Sequence, residues 1–268
     1  MIIHAFAEIQ ALADACAPLA ASAISGWTVD EWHLDDDQVQ LLADAYLAVL
    51  RGDIDNAVED ELKRLGVPID KLLIADHDSR ELVTRSDAIE IAAIAALIKA
   101  DRWPTDTLYA PNVPKMSRKK SDSGIDAMAA YLDPNARPGT PLSPDEKLYI
   151  CSVKHTLQSS SSTLRYDLVK SVSEDELTPT YLAGQLRVLK GHLDQLGVSN
   201  TSRVILFINQ FLQNENVRVH AVAAVDPSLL SDLTDQLTKH LPQMKTGNHA
   251  LRAIIIPDLA NLHNRCAS

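Results

Sequence analysis

The 268-residue chain reads as an α/β (α+β) protein, with a mixed central β-sheet flanked by helices and a helical N-terminal region ahead of it. Three observations predict this. Apolar residues recur at helical spacing through the first hundred positions. Two later segments, Val204–Leu212 and Val217–Val225, are rich in Val, Ile and Phe and are parted by the polar turn Gln213-Asn214-Glu215-Asn216. Between and after these lie alternating helical and extended patterns. With 46% apolar and 23% charged residues, the chain can bury a full core.

Taken in order, Ile2–Leu19, Asp36–Arg51 and Ala57–Leu65 carry apolar positions at helical spacing with polar residues between them. Residues 1–85 therefore read as a helical N-terminal region and 86–268 as the main core. Ser86-Asp87 opens the run Ala88–Ala100, apolar almost all round, which predicts a helix inside the core. Trp103-Pro104 ends it. Leu108–Met116 is extended but interrupted by Pro111 and Pro114. Arg118-Lys119-Lys120 with Ser121–Gly124 reads as a turn, and Ile125–Leu132 as a strand. Asp133–Glu146, with four prolines and a glycine, is a loop, and Leu148–Thr156 is a strand. Ser159–Thr163 is a polar loop or a helix start. Helical pattern runs over Leu164–Leu196, broken near Thr178-Pro179 and stopped by Gly197. Pro227–Leu241 is a helix and Ala250–Ile256 a last short strand.

Charge divides the chain. Residues 1–110 hold 21 acidic against 8 basic side chains, a net of −13, whereas residues 111–268 hold 15 against 17, a net of +2. Phosphate contacts are thus expected in the second half, and the acidic half is either a solvated surface or a face for a protein partner. Cys16, Cys151 and Cys266 are far apart and form no metal-binding spacing, which predicts a reducing compartment and no structural zinc. No apolar run approaches membrane-spanning length, so the expected location is cytoplasmic, with no membrane contact. The GxxxxGK[ST], GxSxG and HExxH patterns are missing, which removes the essential parts of ATPase, α/β-hydrolase and zincin readings.

The chemistry-bearing constellation is Gly124-Ile125-Asp126 with Ser152-Val153-Lys154. Strand residues at i and i+2 share a face, so Ser152 and Lys154 project together. If the strand of Asp126 pairs with theirs, all three meet. A carboxylate can ligate Mg²⁺, which stabilises phosphate charge and acidifies a bound water, and a neighbouring ammonium can orient that water. Plainer readings stand beside this one. Gly-x-Asp alone is common in turns, where Asp126 would cap a strand end. Lys154 would simply end its strand in solvent, though burial of an unpaired ammonium is costly. Glu90, inside the apolar helix, is equally costly unless paired, and Lys154 would serve as its partner. The basic run 118–120 is a solvated loop in the plain reading, His155 and Cys151 face away from the Ser152/Lys154 side, and Gln185 lies on a helix surface.

An apolar helix bearing Glu90, a strand with Gly-x-Asp126, a strand with Ser152-x-Lys154, then a helix and strands together resemble the PD-(D/E)xK nuclease superfamily. Within it the arrangement is similar to the nuclease subunit of the bacterial Hachiman antiphage system, which works beside a helicase. The resemblance covers roughly residues 86–226. It implies a restriction-endonuclease-like core and metal-dependent cleavage of DNA in prokaryotic defence, with a helicase as protein partner. In that reading Asp126 and Glu90 hold Mg²⁺ or Mn²⁺, Lys154 orients the attacking water, and Ser152 occupies the position of an acid. Ser152 departs from the pattern, since a hydroxyl adds no charge to offset a cation. Either Glu90 or Asp167 substitutes, or the chain is a catalytically silent subunit that binds nucleic acid or a protein partner.

Overall fold

The computed structural model describes residues 6–17, 20–24, 27–52, 60–61, 63–66, 81–101, 108–109, 126–133, 135–137, 139–158, 179–195, 197, 199–208, 216–243 and 249–267. In chain order these form α1 (Phe6–Ala15), β1 (Ala20–Ile24), β2 (Trp27–His33), α2 (Asp36–Gly52), α3 (Glu81–Asp101), β3 (Leu108–Tyr109), β4 (Ala127–Tyr131), β5 (Lys147–His155), α4 (Pro179–Gln195), β6 (Val217–Val225), α5 (Leu230–His240), β7 (His249–Ile255) and α6 (Leu262–Ala267). Short 3₁₀ segments at Thr201–Leu206, Pro227–Leu229, Leu241–Gln243 and Leu259–Asn261 join them.

The strands make one seven-stranded mixed sheet in the order β1-β2-β7-β6-β5-β4-β3. β2, β7, β6 and β5 run parallel, while β1, β4 and β3 add antiparallel pairs at the two sides. Parallel strands in the middle of a sheet are covered on both faces and therefore read as near-continuous apolar runs. β6 shows this: every residue from Val219 to Val225 is buried. On one face, Cys151, Val153, Val222, Ala224 and Ile254 pack with α1, α2, α3 and α6. On the other, Ile150 and Val219 pack against Leu182, Leu186 and Leu189 of α4, and Ala221, Ala223 and Leu251 against Leu233 and Leu237 of α5. Helix α3 is buried from Ala88 to Ile98, as its apolar circumference predicts.

The central sheet, its flanking helices and the strands near 127–131, 147–155, 217–225 and 249–255 follow the sequence expectation. Two features differ from it. The N-terminal region is not all helical, because β1 and β2 form a hairpin whose β2 pairs with β7 from Val29↔Leu251 to His33↔Ile255. The boundary drawn at 85/86 also falls inside α3, a single helix over Glu81–Asp101. Ala- and Ser-rich β1 has weak strand propensity, so its ladder and the burial of Trp27, Val29 and Trp32 decide its conformation. The second correction is Val204–Leu212. Residues 201–206 form a 3₁₀ helix and 207–208 continue helically. Val204 and Phe207, three apart, both reach the α4 cluster, a spacing that suits a tight helix rather than the period of two. An unbroken apolar run cannot distinguish the two by pattern. The readings at 110–125, 159–178 and 209–215 lie outside the described residues.

Candidate functional site

β4 and β5 pair from Ala127↔Cys151 to Tyr131↔Lys147. The ladder extends one step further, since the Asp126 N–H donates to the Cys151 carbonyl at 3.0 Å. This register sets Asp126 opposite Ser152, and alternation carries Lys154 onto the same face. The Asp126 carboxylate is 4% exposed, lies 3.8 Å from the Lys154 Nζ, and accepts the Val153 N–H through Oδ2 at 2.6 Å. A backbone donor and an ammonium therefore offset its desolvation. Lys154 keeps 23% side-chain exposure, so the pair has one side turned to solvent, while Ser152 is buried.

The location is the strand ends rather than the lateral edge of the sheet. Lys154 is the penultimate residue of β5, and parallel strands β6 and β7 end at the same level. The carboxyl ends of parallel strands are where open α/β sheets present ligand sites. In register, Ser152 stands beside Ala221 and Lys154 beside Ala223, so no branched side chain crowds either on that strand.

Glu90 sits on α3, which covers the Cys151/Val153 face, whereas Ser152 and Lys154 alternate to the opposite face. It is 2% exposed and accepts a long hydrogen bond, 3.5 Å, from the Ser86 hydroxyl. The ion pair and hydrogen bond described for Asp126 involve Lys154 and Val153. Asp167, the other acid considered, is outside the described residues. Cys151 is a core residue, as its alternation predicts, and Gln185 is half-buried on α4, over the Ile150 face. Among the described residues no three His, Cys, Asp or Glu side chains are grouped to hold a metal ion.

A residue the sequence reading passed over anchors the far end of this hairpin. Arg203 is 1% exposed and donates to Glu146 at 2.7 and 2.5 Å, and also to the carbonyls of Arg137, Thr140 and Pro141. Burial pushes the Glu146 carboxyl up, but the bonds from Arg203 and the Ser143 N–H outweigh that and hold it below the ordinary carboxylate range. The Asn216 side chain donates to Ser143 and Glu146 carbonyls at 2.6 Å. The 133–146 loop is thereby tied to the start of β5 and β6, which fixes the register that brings Asp126 to Lys154. The signal in the sequence was slight, a charged residue directly ahead of the apolar run that starts at Val204.

No protein-family model matches the chain, and no curated protein matches it.

Proposed function

We propose that the chain is a nuclease-fold protein acting on DNA phosphodiesters, in prokaryotic antiphage defence and beside a helicase partner. The observation that carries the reading is the Asp126–Lys154 pair, 3.8 Å apart at the strand ends, with Ser152 on the same face. Three further points support it: the element order of helix, three antiparallel strands, helix and parallel strand over 81–225, the solvent-facing side of Lys154, and the placement of acidic helices α1 and α2 on the other face, away from approaching phosphate.

Metal-dependent hydrolysis uses Mg²⁺ or Mn²⁺ to stabilise phosphate charge and supply hydroxide. One buried carboxylate, already bonded to Val153 and facing Lys154, beside a neutral serine, does not by itself fit such an ion, so no step is assigned to it. The residues in hand do supply phosphate recognition. Lys154 offers an ammonium to a non-bridging oxygen and the Ser152 hydroxyl can donate a hydrogen bond, while Asp126 holds the lysine in place.

Plasmid nicking and linearisation with Mg²⁺ or Mn²⁺, with and without a candidate helicase, tests the reading. Asp126→Asn and Lys154→Ala should each abolish cleavage, with DNA binding spared in Asp126→Asn. Cleavage that survives both would place the chemistry elsewhere. The neutral Ser152 favours a second reading, a catalytically silent subunit of the same fold. That reading expects no cleavage from the native chain under any of these conditions, and a gain of Mn²⁺ affinity in Ser152→Glu.

A further inference from the structure

Helix α4 runs antiparallel to β5 and brings its amino end to the level of Ser152 and Lys154. Its carboxyl end is fixed at the amino ends of the strands. There Asp194 accepts from the Thr201 hydroxyl, and Arg203, two residues on, holds Glu146 directly ahead of β5. Leu182, Leu186, Leu189 and Leu193 make one buried stripe against the face that carries Leu148 and Ile150. The 17 residues of α4 span about 25 Å, and Lys147 to Lys154 span about 23 Å. The first turn of α4 therefore stands over the face to which Ser152 and Lys154 point. It contains no acidic residue. The N–H groups at the start of an α-helix have no partner within it and give that end a partial positive charge. Pro179 opens α4, so the groups concerned are those of Thr180, Tyr181 and Leu182.

Ser152 is 6% exposed, and its hydroxyl has no hydrogen-bond partner among the described residues. A buried hydroxyl left in that state costs free energy, and a partner from outside the chain removes the cost. The Lys154 ammonium is 3.8 Å from Asp126, too far for a hydrogen bond, which leaves its donors to other acceptors. Access is on this side, where 23% of the lysine side chain is exposed. The adjoining Asp126 carboxylate is engaged by the Val153 N–H and by that ammonium. An oxyanion suits the set, because it accepts from a hydroxyl, an ammonium and the N–H groups of a helix start at once. We propose that the first turn of α4, the Ser152 hydroxyl and the Lys154 ammonium form a phosphate cradle that works without a metal ion. This rests on the reading of the Lys154 end as a phosphate site, and adds that the helix supplies positive charge there. Backbone N–H groups meet any phosphate alike, so the cradle fixes position rather than base sequence.

Thermal unfolding in EDTA with increasing inorganic phosphate, against sodium chloride of equal ionic strength, reads the cradle without a metal. The native chain should show a saturable rise in Tm, roughly 2–4 °C at tenfold the Kd. Ser152→Ala should weaken phosphate about tenfold. Thr180→Glu sets a carboxylate in the first turn, where it favours the helix and repels phosphate. Its Tm without phosphate should hold or rise while the phosphate response is lost. An oligonucleotide with and without a 5′-phosphate forms a second arm. A larger rise with the phosphorylated form assigns the cradle to a DNA end, and equal rises that Thr180→Glu abolishes assign it to internal phosphates; both support it. No saturable rise, a rise unchanged in either variant, or a Thr180→Glu chain less stable than the native one without phosphate would overturn the proposal. Plasmid cleavage by the native chain, with the phosphate response intact in Thr180→Glu, would sink the cradle and keep the nuclease reading. A response lost in both variants, with no cleavage by the native chain, would keep the cradle and sink that reading.

Discussion

Replacing Arg203 with methionine removes every donor that meets Glu146 from that side chain while keeping an apolar stem of similar length. Glu146 is 0% exposed, so its carboxylate then loses bonds of 2.7 and 2.5 Å and is left buried with Ser143 N–H as a remaining donor. The carbonyls of Arg137, Thr140 and Pro141 lose their donors too. Breaking a buried ion pair by removing one partner costs about 3–5 kcal/mol, most of it the stranded charge. With a urea m-value near 3 kcal/mol/M, the unfolding midpoint should fall by roughly 1–1.7 M. Arg203→Met combined with Glu146→Leu removes the stranded charge and should recover most of the loss. Urea titrations followed by fluorescence and circular dichroism give the midpoints. A single variant within about 0.5 kcal/mol of the parent, or a double variant less stable than the single one, would refute the account of Arg203 as the clamp of the 133–146 loop.

Three other outcomes follow from the structure. His220 is held neutral by burial and by the neighbouring Arg252 and Arg218, so the unfolded chain binds a proton near pH 6.5 that the folded chain refuses. Stability should be complete above that pH and fall below it, by about 1.4 kcal/mol at pH 5.5 in phosphate-free buffer; a His220→Gln variant with the same slope between pH 6.5 and 5.5 would contradict this. Burial pushes the Cys16 and Cys266 thiols up to about 12. The folded chain should therefore give almost no reaction with Ellman's reagent at pH 8 until denatured, and rapid release of two or more equivalents would argue against the packing. A fragment of residues 86–268 lacks β2 and leaves the apolar strand β7 as an open edge. It should fail to give a cooperative unfolding transition, and a sharp one by circular dichroism would restore the boundary at 85/86.

The same physics decides what the sequence made legible and what it hid. β6 was legible because a parallel central strand must be apolar on both faces, and Val217–Val225 allows little else. Val204–Leu212 looked alike, yet its first part coils into a 3₁₀ turn, because Arg203 must reach Glu146 while Val204 and Phe207 reach α4. That choice is made by a partner 57 residues away in the chain, which no local window contains. β2 was hidden for a related reason, since its ladder to β7 spans more than two hundred residues, and Ala- and Ser-rich β1 is held as a strand by pairing with β2. At the candidate site the i, i+2 spacing correctly put Ser152 and Lys154 on one face, since alternation is a local property. Their meeting with Asp126 depended on one register among several, and a slip of one residue would have turned Asp126 to the α3 side. Helix periodicity could bury Glu90 but could not say which sheet face its helix would cover. The least legible feature was the polar set on β6 and β7. Arg218 and His220 share a face of β6 by alternation, and the parallel register sets Arg252 of β7 beside Val222, one step further along that face. A polar residue that interrupts an apolar strand is costly wherever it stands alone. Which partners offset that cost is decided by strand register and by the helix laid over the face, so the interruptions of the apolar pattern, unlike the pattern itself, take their meaning from residues far away in the chain.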